Sequence, residues 1–414
     1  MTIRRMSLAA GLVLAAVGCN NEGLLTSTPP LYKGGAMFQR YVSLGNSITA
    51  GFQSGGINDS TQKQSYAVKL SVAMAGDSFY RPSLTIPGCP PPIDTLFTAS
   101  GAPHRLGGPG APPCSLRSAP LPPYISNVAV PGATVFDPVH AGPTPSANAL
   151  TLLILGARSQ IQAMRAAQPT FVSAWIGNND VLGAATDTAN AGNPAEVTDT
   201  AVFRARYDSL LTGFDSTPSI QGGILIGVAD VAAIPYFSYG QVYFGASVSV
   251  PRQLPDSMTV LPNCAPSGFG GMGDTVLVPF AYGFGLIAKA QALVPDTLDC
   301  ANGHNIEPDE LAHIHATVAA YNTMISARAT ARQWAYLDPN GPLATLRADT
   351  SQVRIFPNPA ATSCNGTASG SPFGLAFSCD GIHPSNATHH LIAQVIVQTI
   401  NGTYGSAIPV TGVP

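Results

Sequence analysis

The chain has 414 residues, 45% of them hydrophobic, which is ample for a full core in one large domain or two modest ones. Only 10% are charged, and the formal net charge is −3, from 19 Lys and Arg against 22 Asp and Glu. No basic block stands out, which argues against a nucleic-acid partner, and no apolar run of about 18 residues reads as a transmembrane helix. In chain order, a basic pair, Arg4-Arg5, is followed by a short apolar stretch at 7–17. This reads as a signal peptide over 1–18, and the arginine pair hints at twin-arginine export. The stretch ends in Ala16-Val17-Gly18-Cys19, similar to a bacterial lipobox with Ala16 where Leu is usual. Cys19 is then the lipid attachment site and 19–37 a lipidated tether. The expectation is an exported protein held on the membrane of the cell envelope by its anchor. Asn20 rather than Asp after Cys19 points, by analogy, to the outer membrane.

Beyond the tether, nearly continuous apolar or β-branched runs at 41–44, 127–130, 170–176, 223–228 and 335–337 read as strands buried on both faces. Helical patterns fall between them at 149–167, 199–212 and 308–329. In the last, Leu311, Ile314, Val318, Tyr321 and Ile325 recur at helical spacing and Pro308 sits in the first turn. A final helix is predicted over 385–400 with Ser385 as its N-cap. The alternation predicts an α/β domain with a parallel sheet over 38–405, and a C-terminal tail over 406–414. Two segments near 82–123 and 237–306 are too long for plain connections and read as ordered insertions over one face of the sheet.

The chain has seven cysteines. With Cys19 set aside the rest are even in number, which suits disulfides in an oxidising compartment. The simplest pairing is sequential: Cys89 with Cys114, Cys264 with Cys300, Cys364 with Cys379. None has CxxC spacing, so no structural zinc is expected.

Three segments carry polar residues at strand ends. In Gly45-Asn46-Ser47-Ile48 a strand runs into a serine, where open α/β sheets place ligands; the plain alternative is a helix cap. In Trp175-Ile-Gly-Asn178-Asn179-Asp180 an asparagine follows another strand, either aimed at an oxyanion or merely making a Gly-Asn turn. In Cys379-Asp380-Gly-Ile-His383-Pro-Ser385 a carboxylate precedes a histidine by three residues, a spacing that can orient an imidazole or make a local turn.

Taken together these segments resemble the SGNH (GDSL-type) hydrolase family. Gly45-Asn46-Ser47-Ile48 matches its first block, with Asn46 in place of Asp. Gly132 in Asn127-Val-Ala-Val-Pro-Gly-Ala133 matches the second, Gly177-Asn178-Asn179-Asp180 the third, and Asp380-x-x-His383 the fifth. The resemblance implies a three-layer α/β/α sandwich on a central, mostly parallel five-stranded sheet of flavodoxin-like topology. It also implies a carboxylic ester hydrolase of esterase or lipase type, with Ser47 as nucleophile, His383 as base and Asp380 orienting it. The oxyanion hole would comprise Ser47, Gly132 and Asn178. No cofactor or metal is implied, and the partner is a small-molecule or lipid ester. Low charge and apolar insertions favour aliphatic acyl esters. The alternatives are a carbohydrate O-deacetylase and a non-catalytic surface lipoprotein that keeps the fold as a binding module. Phe237, Tyr239, Tyr243 and Phe244 are candidates for an acyl pocket or for core. Asp230 is a rival triad acid, and His313 and His315, two apart on a helix, are expected not to be ligands.

Overall fold

A computed structural model describes residues 34–98, 102–115, 122–142, 149–367 and 369–413. The signal segment, Cys19 and the tether up to residue 33 lie outside the described residues. In chain order the regular elements begin with β1 (Tyr41–Gly45), α1 (Ser47–Ala50), α2 (Asp59–Lys63), α3 (Tyr66–Met74), β2 (Ile93–Thr95) and β3 (His104–Arg105). They continue with α4 (Ala149–Leu155), α5 (Gln160–Ala167), β4 (Phe171–Trp175), α6 (Asn179–Ala185), α7 (Thr200–Asp215) and β5 (Gly222–Ile226). The second insertion holds β6 (Phe237–Tyr239), α8 (Gly240–Val248), β7 (Met258–Val260), β8 (Leu277–Pro279), α9 (Phe280–Gln291) and β9 (Asp296–Leu298). Then come α10 (Pro308–Ala331), β10 (Ala335–Leu337), α11 (Asn340–Arg347) and α12 (Asn386–Tyr404).

The central sheet is parallel in the order β1-β4-β5-β10. Side chains alternate across it and divide the core into two layers. Val42, Leu44, Val172, Ala174 and Leu225 face one side, against α5, α7 and α10. Tyr41, Phe171, Trp175, Ile224 and Ile226 face the other, against α3 and α12. Every residue of β1, β4 and β5 is buried, as a sheet covered by helices on both faces requires.

The sheet has four strands, not the five expected. Residues 127–130 do run beside β1, with Ser43 N–H donating to Ser126 O (2.9 Å), Val128 N–H to Ser43 O (2.9 Å) and Val130 N–H to Gly45 O (3.2 Å). They form only an isolated parallel bridge, Ser43 with Asn127. The ladder goes no further because the Gly45 N–H, which a continued ladder would give to Val128 O, donates instead to Gln160 Oε1 (3.0 Å). With this segment counted at the edge, the spatial order is that of a flavodoxin-like sheet.

The helix expected over 149–167 is two helices. Gly156 and Ala157 both take positive φ (60° and 67°), and Ser159 restarts the chain with a capping box to Gln162. The final helix starts where Ser385 caps it, accepting from Thr388 N–H, and ends at Gly405 in the left-handed conformation. The three disulfides pair sequentially, with Cα separations of 5.1, 5.2 and 5.6 Å for Cys89–Cys114, Cys264–Cys300 and Cys364–Cys379. The second insertion has its own small core around Tyr243, Met258, Val278, Leu286, Leu298 and the Cys264–Cys300 bridge. The C-terminal residues pack back, burying Ile408 and Val413 beside α12.

Candidate active site

Parallel strands put all their carboxyl ends at one end of the sheet, and the polar residues singled out in the sequence collect there. Ser47 follows β1 at the first position of α1. Asn46 caps that helix, its Oδ1 accepting from Ile48 N–H (3.2 Å), so Asn serves here as Asp would. Its Nδ2 is buried without a partner. Gly45 admits no side chain, since a Cβ would stand 2.5 Å from the Trp175 carbonyl oxygen on β4.

His383 arrives from the far end of the chain, in a tight loop before α12. Ser378 N–H donates to His383 O (2.9 Å), Gly381 N–H to Ser378 O (3.0 Å), and Gly381 takes φ 69° where a Cβ would strike the Phe373 ring. The imidazole bridges two partners: Nε2 is 2.9 Å from Ser47 Oγ and Nδ1 is 2.8 Å from Asp380 Oδ2. An ionised carboxylate only accepts, so Nδ1 carries the proton and Nε2 accepts from the serine hydroxyl. The Phe52 ring lies against the imidazole, with centroids 4.8 Å apart.

Asp380 is held from every side. Oδ2 also accepts from Gly55 N–H (2.6 Å), and Oδ1 accepts from Ser378 Oγ (3.1 Å), Ile382 N–H (2.9 Å) and His383 N–H (2.9 Å). Burial alone would push its pKa up. The charge on His383 and these hydrogen bonds outweigh that and bring it down to about 2. Cys379, beside it, is bridged to Cys364 and donates its N–H to Ser54 Oγ (3.2 Å).

Asn178 stands at the N-cap of α6 but makes no capping bond, and its Oδ1 is buried without a partner. Its amide is therefore uncommitted beside Ser47, and both residues line the same cavity. Gly132 occupies the turn after 127–130 with φ 81°, a conformation that favours glycine, and does not line that cavity. Its loop is strapped to α6, with Asn179 Nδ2 donating to Ala133 O (2.8 Å) and Val135 N–H donating to Asp180 Oδ2 (2.8 Å). Burial pushes the Asp180 carboxyl up to about 7. The two strapping residues went without a role in the sequence reading.

The cavity at Ser47 and His383 has a volume of about 460 Å³, within the usual range for a ligand site. Among the described residues its lining has no Asp, Glu, Lys or Arg. The aromatics expected as pocket candidates are elsewhere. Phe237 is in the main core, Tyr243 in the core of the second insertion, and neither Tyr239 nor Phe244 reaches the cavity. The walls come instead from α11 and α12, which the sequence reading did not assign to the site. Asp230 is not a triad member: it pairs with His315 Nε2 (3.4 Å) and caps the turn at Ala232. His389 is buried, its Nδ1 accepting from Tyr66 N–H (3.3 Å), and burial lowers its pKa to about 3.

No protein-family model matches the chain, and no curated protein matches it. Solved structures similar to it include a catalytic mutant of an acetylxylan esterase from Geobacillus stearothermophilus. That match is 14% identical with a TM-score of 0.35, covering 87% of this chain and 94% of that one. Another is the extracellular lipase of Streptomyces rimosus, 15% identical with a TM-score of 0.34, covering 87% of this chain and 98% of that one.

Proposed function

We propose that this protein is a serine carboxylic ester hydrolase, as the resemblance to SGNH hydrolases implies. One observation carries the reading. A serine, a histidine and a carboxylate from opposite ends of the chain align by hydrogen bonds of 2.9 and 2.8 Å at the mouth of a cavity. Ser47 Oγ attacks the ester carbonyl as His383 Nε2 takes its proton, and Asp380 stabilises the resulting imidazolium. The oxyanion is met by the N–H of Ser47 and by the Asn178 amide, and the resemblance implies the Gly132 N–H as a third donor. Collapse of the tetrahedral intermediate breaks the bond to the alcohol, which leaves with the proton from His383. Water, activated by the same imidazole, then releases the acid and restores Ser47.

The cellular setting is part of the proposal. Cleavage after residue 18, lipid on Cys19 and anchoring to the outer membrane of the envelope agree with three disulfides that need an oxidising compartment. The test is hydrolysis of p-nitrophenyl esters by the purified chain and by Ser47→Ala, with fluorophosphonate labelling of both. Turnover and labelling that vanish together in Ser47→Ala support the reading. Equal activity in both proteins removes Ser47 as nucleophile. Absence of turnover and labelling in the wild type favours a binding module.

A further inference from the structure

We infer that the cavity between α11 and α12 is a binding site for an aliphatic acyl chain, so that the ester cleaved at Ser47 is one of a medium or long fatty acid. The inference rests on the proposed catalytic reading for its chemistry, but on different residues for its specificity. Helix α12 carries two apolar faces. One, with Ala393, Ile396, Val397 and Ile400, is buried against the sheet and accounts for the core. The other, Leu391, Ile392 and Val395, lies at helical spacing on a different side and lines the cavity, with Leu391 41% exposed.

Helix α11 has one apolar stripe. Its Pro342, Leu343 and Leu346 run along the same cavity, with Leu343 and Leu346 half-buried against the main core. Two apolar stripes therefore line a gap instead of closing it. The gap is continuous with Ser47 and His383, and its lining has no charged carboxylate or ammonium. The amides of Asn46, Asn178 and Asn179 sit at the reacting end, and between α11 and α12 the walls offer only the Thr345 and Thr388 hydroxyls, so most hydroxyls of a sugar lodged there would go without partners. A polymethylene chain loses nothing there and gains from every methylene removed from water. The occupant that fits both the reacting end and the walls is the acyl chain of the substrate.

The transfer free energy of a methylene corresponds to roughly a fourfold gain in kcat/KM, so butyrate to octanoate should gain roughly 10². The experiment measures kcat/KM of the full chain on p-nitrophenyl esters from acetate to palmitate, for wild type and Leu346→Trp. Leu346 is half-buried, at the edge of the main core and lining the cavity, so the indole should project into the gap, and a thermal melt checks that Leu346→Trp is folded. A rise from acetate to octanoate, with an octanoate-to-acetate ratio at least tenfold lower in Leu346→Trp, supports the site. Acetate preferred, with a ratio that Leu346→Trp does not move, overturns it and leaves the catalytic reading intact. Binding separates the two claims: laurate should displace cis-parinaric acid from Ser47→Ala protein, and Leu346→Trp in that background should weaken it. If no ester is cleaved but displacement and its sensitivity to Leu346→Trp persist, the catalytic reading fails and the acyl site stands. If laurate does not displace the probe, the acyl site is overturned.

Discussion

Replacing Asp380 by Asn changes one atom and tests how the imidazole is set. The wild-type carboxylate faces only donors: His383 Nδ1 and Gly55 N–H on Oδ2, and Ser378 Oγ, Ile382 N–H and His383 N–H on Oδ1. An amide has one accepting end. If its NH2 takes the Oδ2 position it opposes Gly55 N–H and forces Nδ1 to accept, which puts the ring proton on Nε2, where it blocks transfer from Ser47. If it takes the Oδ1 position it opposes two backbone N–H groups, each conflict costing about 1–3 kcal/mol. The catalytic loss on the first arrangement is of order 10⁴ in kcat, as for other triads given the wrong tautomer, with KM little changed. Stability carries its own signature. The folded-state pKa of about 2 lies below the ordinary 3.8, so the ionised group stabilises the fold by about 2 kcal/mol above pH 4. That contribution is lost as pH falls through 2, and the Asn variant lacks it. Steady-state kinetics at pH 8 and melts from pH 2 to 8 check both. An Asp380→Asn protein that is folded and keeps more than a tenth of its kcat would refute the role of the carboxylate.

Asn178→Ala should lower kcat by about 10²–10³ with KM little affected, if its uncommitted amide meets the oxyanion; a loss under about threefold removes it from the site. Asp180→Asn should stabilise the protein at alkaline pH. Burial raises the Asp180 pKa from 3.8 to about 7, so the folded state binds a proton that the unfolded state releases. Its contribution is present at acid pH and declines as pH rises from about 4 to 7, leaving wild type weaker at pH 8 by up to a few kcal/mol. The amide oxygen can still accept from Val135 N–H, so melts at pH 4 and 8 should show a gain confined to pH 8. A gain equal at both pH values would sink this account.

What the sequence reveals about this site follows from how locally each part is specified. The runs at 41–44 and 170–176 show as strands because burial on both faces leaves them nearly all apolar, with only Ser43, Thr170 and Ser173 polar, and their ends mark Ser47 and Asn178. Asp380 and His383 are legible because the whole interaction fits in a four-residue loop. Residues 127–130 look like an equal strand, but the Gly45 N–H that a full ladder needs is taken by the distant Gln160 side chain. The cavity walls are less legible for a related reason. Helix α11 is eight residues long and only half-buries Leu343 and Leu346, so no core periodicity announces it. The second stripe of α12, Leu391, Ile392 and Val395, was visible as apolar excess over what one buried face requires. Of the aromatics in 237–306, Tyr243 and Phe244 serve a local core formed by three-residue strands that pair across dozens of residues, and Phe237 belongs to the main core, so the core alternative holds.

The first insertion is tied to the acid of the triad through one side chain. Arg105, on β3, donates from Nη1 to Gly55 O (2.8 Å) and to Pro91 O (2.7 Å). Gly55 in turn donates its N–H to Asp380 Oδ2, and the neighbouring Ser54 N–H donates to Ser378 Oγ (2.8 Å). Gly55 sits at φ 65° and Ser54 at φ 53°, so this turn is backbone that needs support to stay in place. Each hydrogen bond from a charged group contributes about 1.5–3 kcal/mol, and Arg105 makes two of them to carbonyls on either side of the turn. Arg105→Met keeps the length and apolar stem of the side chain while removing both. If Arg105 holds Gly55 against Asp380, this variant should lose roughly tenfold in kcat, with KM and the fold retained, since a drift of under 1 Å at Asp380 is enough to misplace His383. A melt lowered with kcat unchanged would mean that Arg105 only staples the insertion, and that the loop of Asp380 and His383 sets its own geometry through Cys364–Cys379 and Gly381.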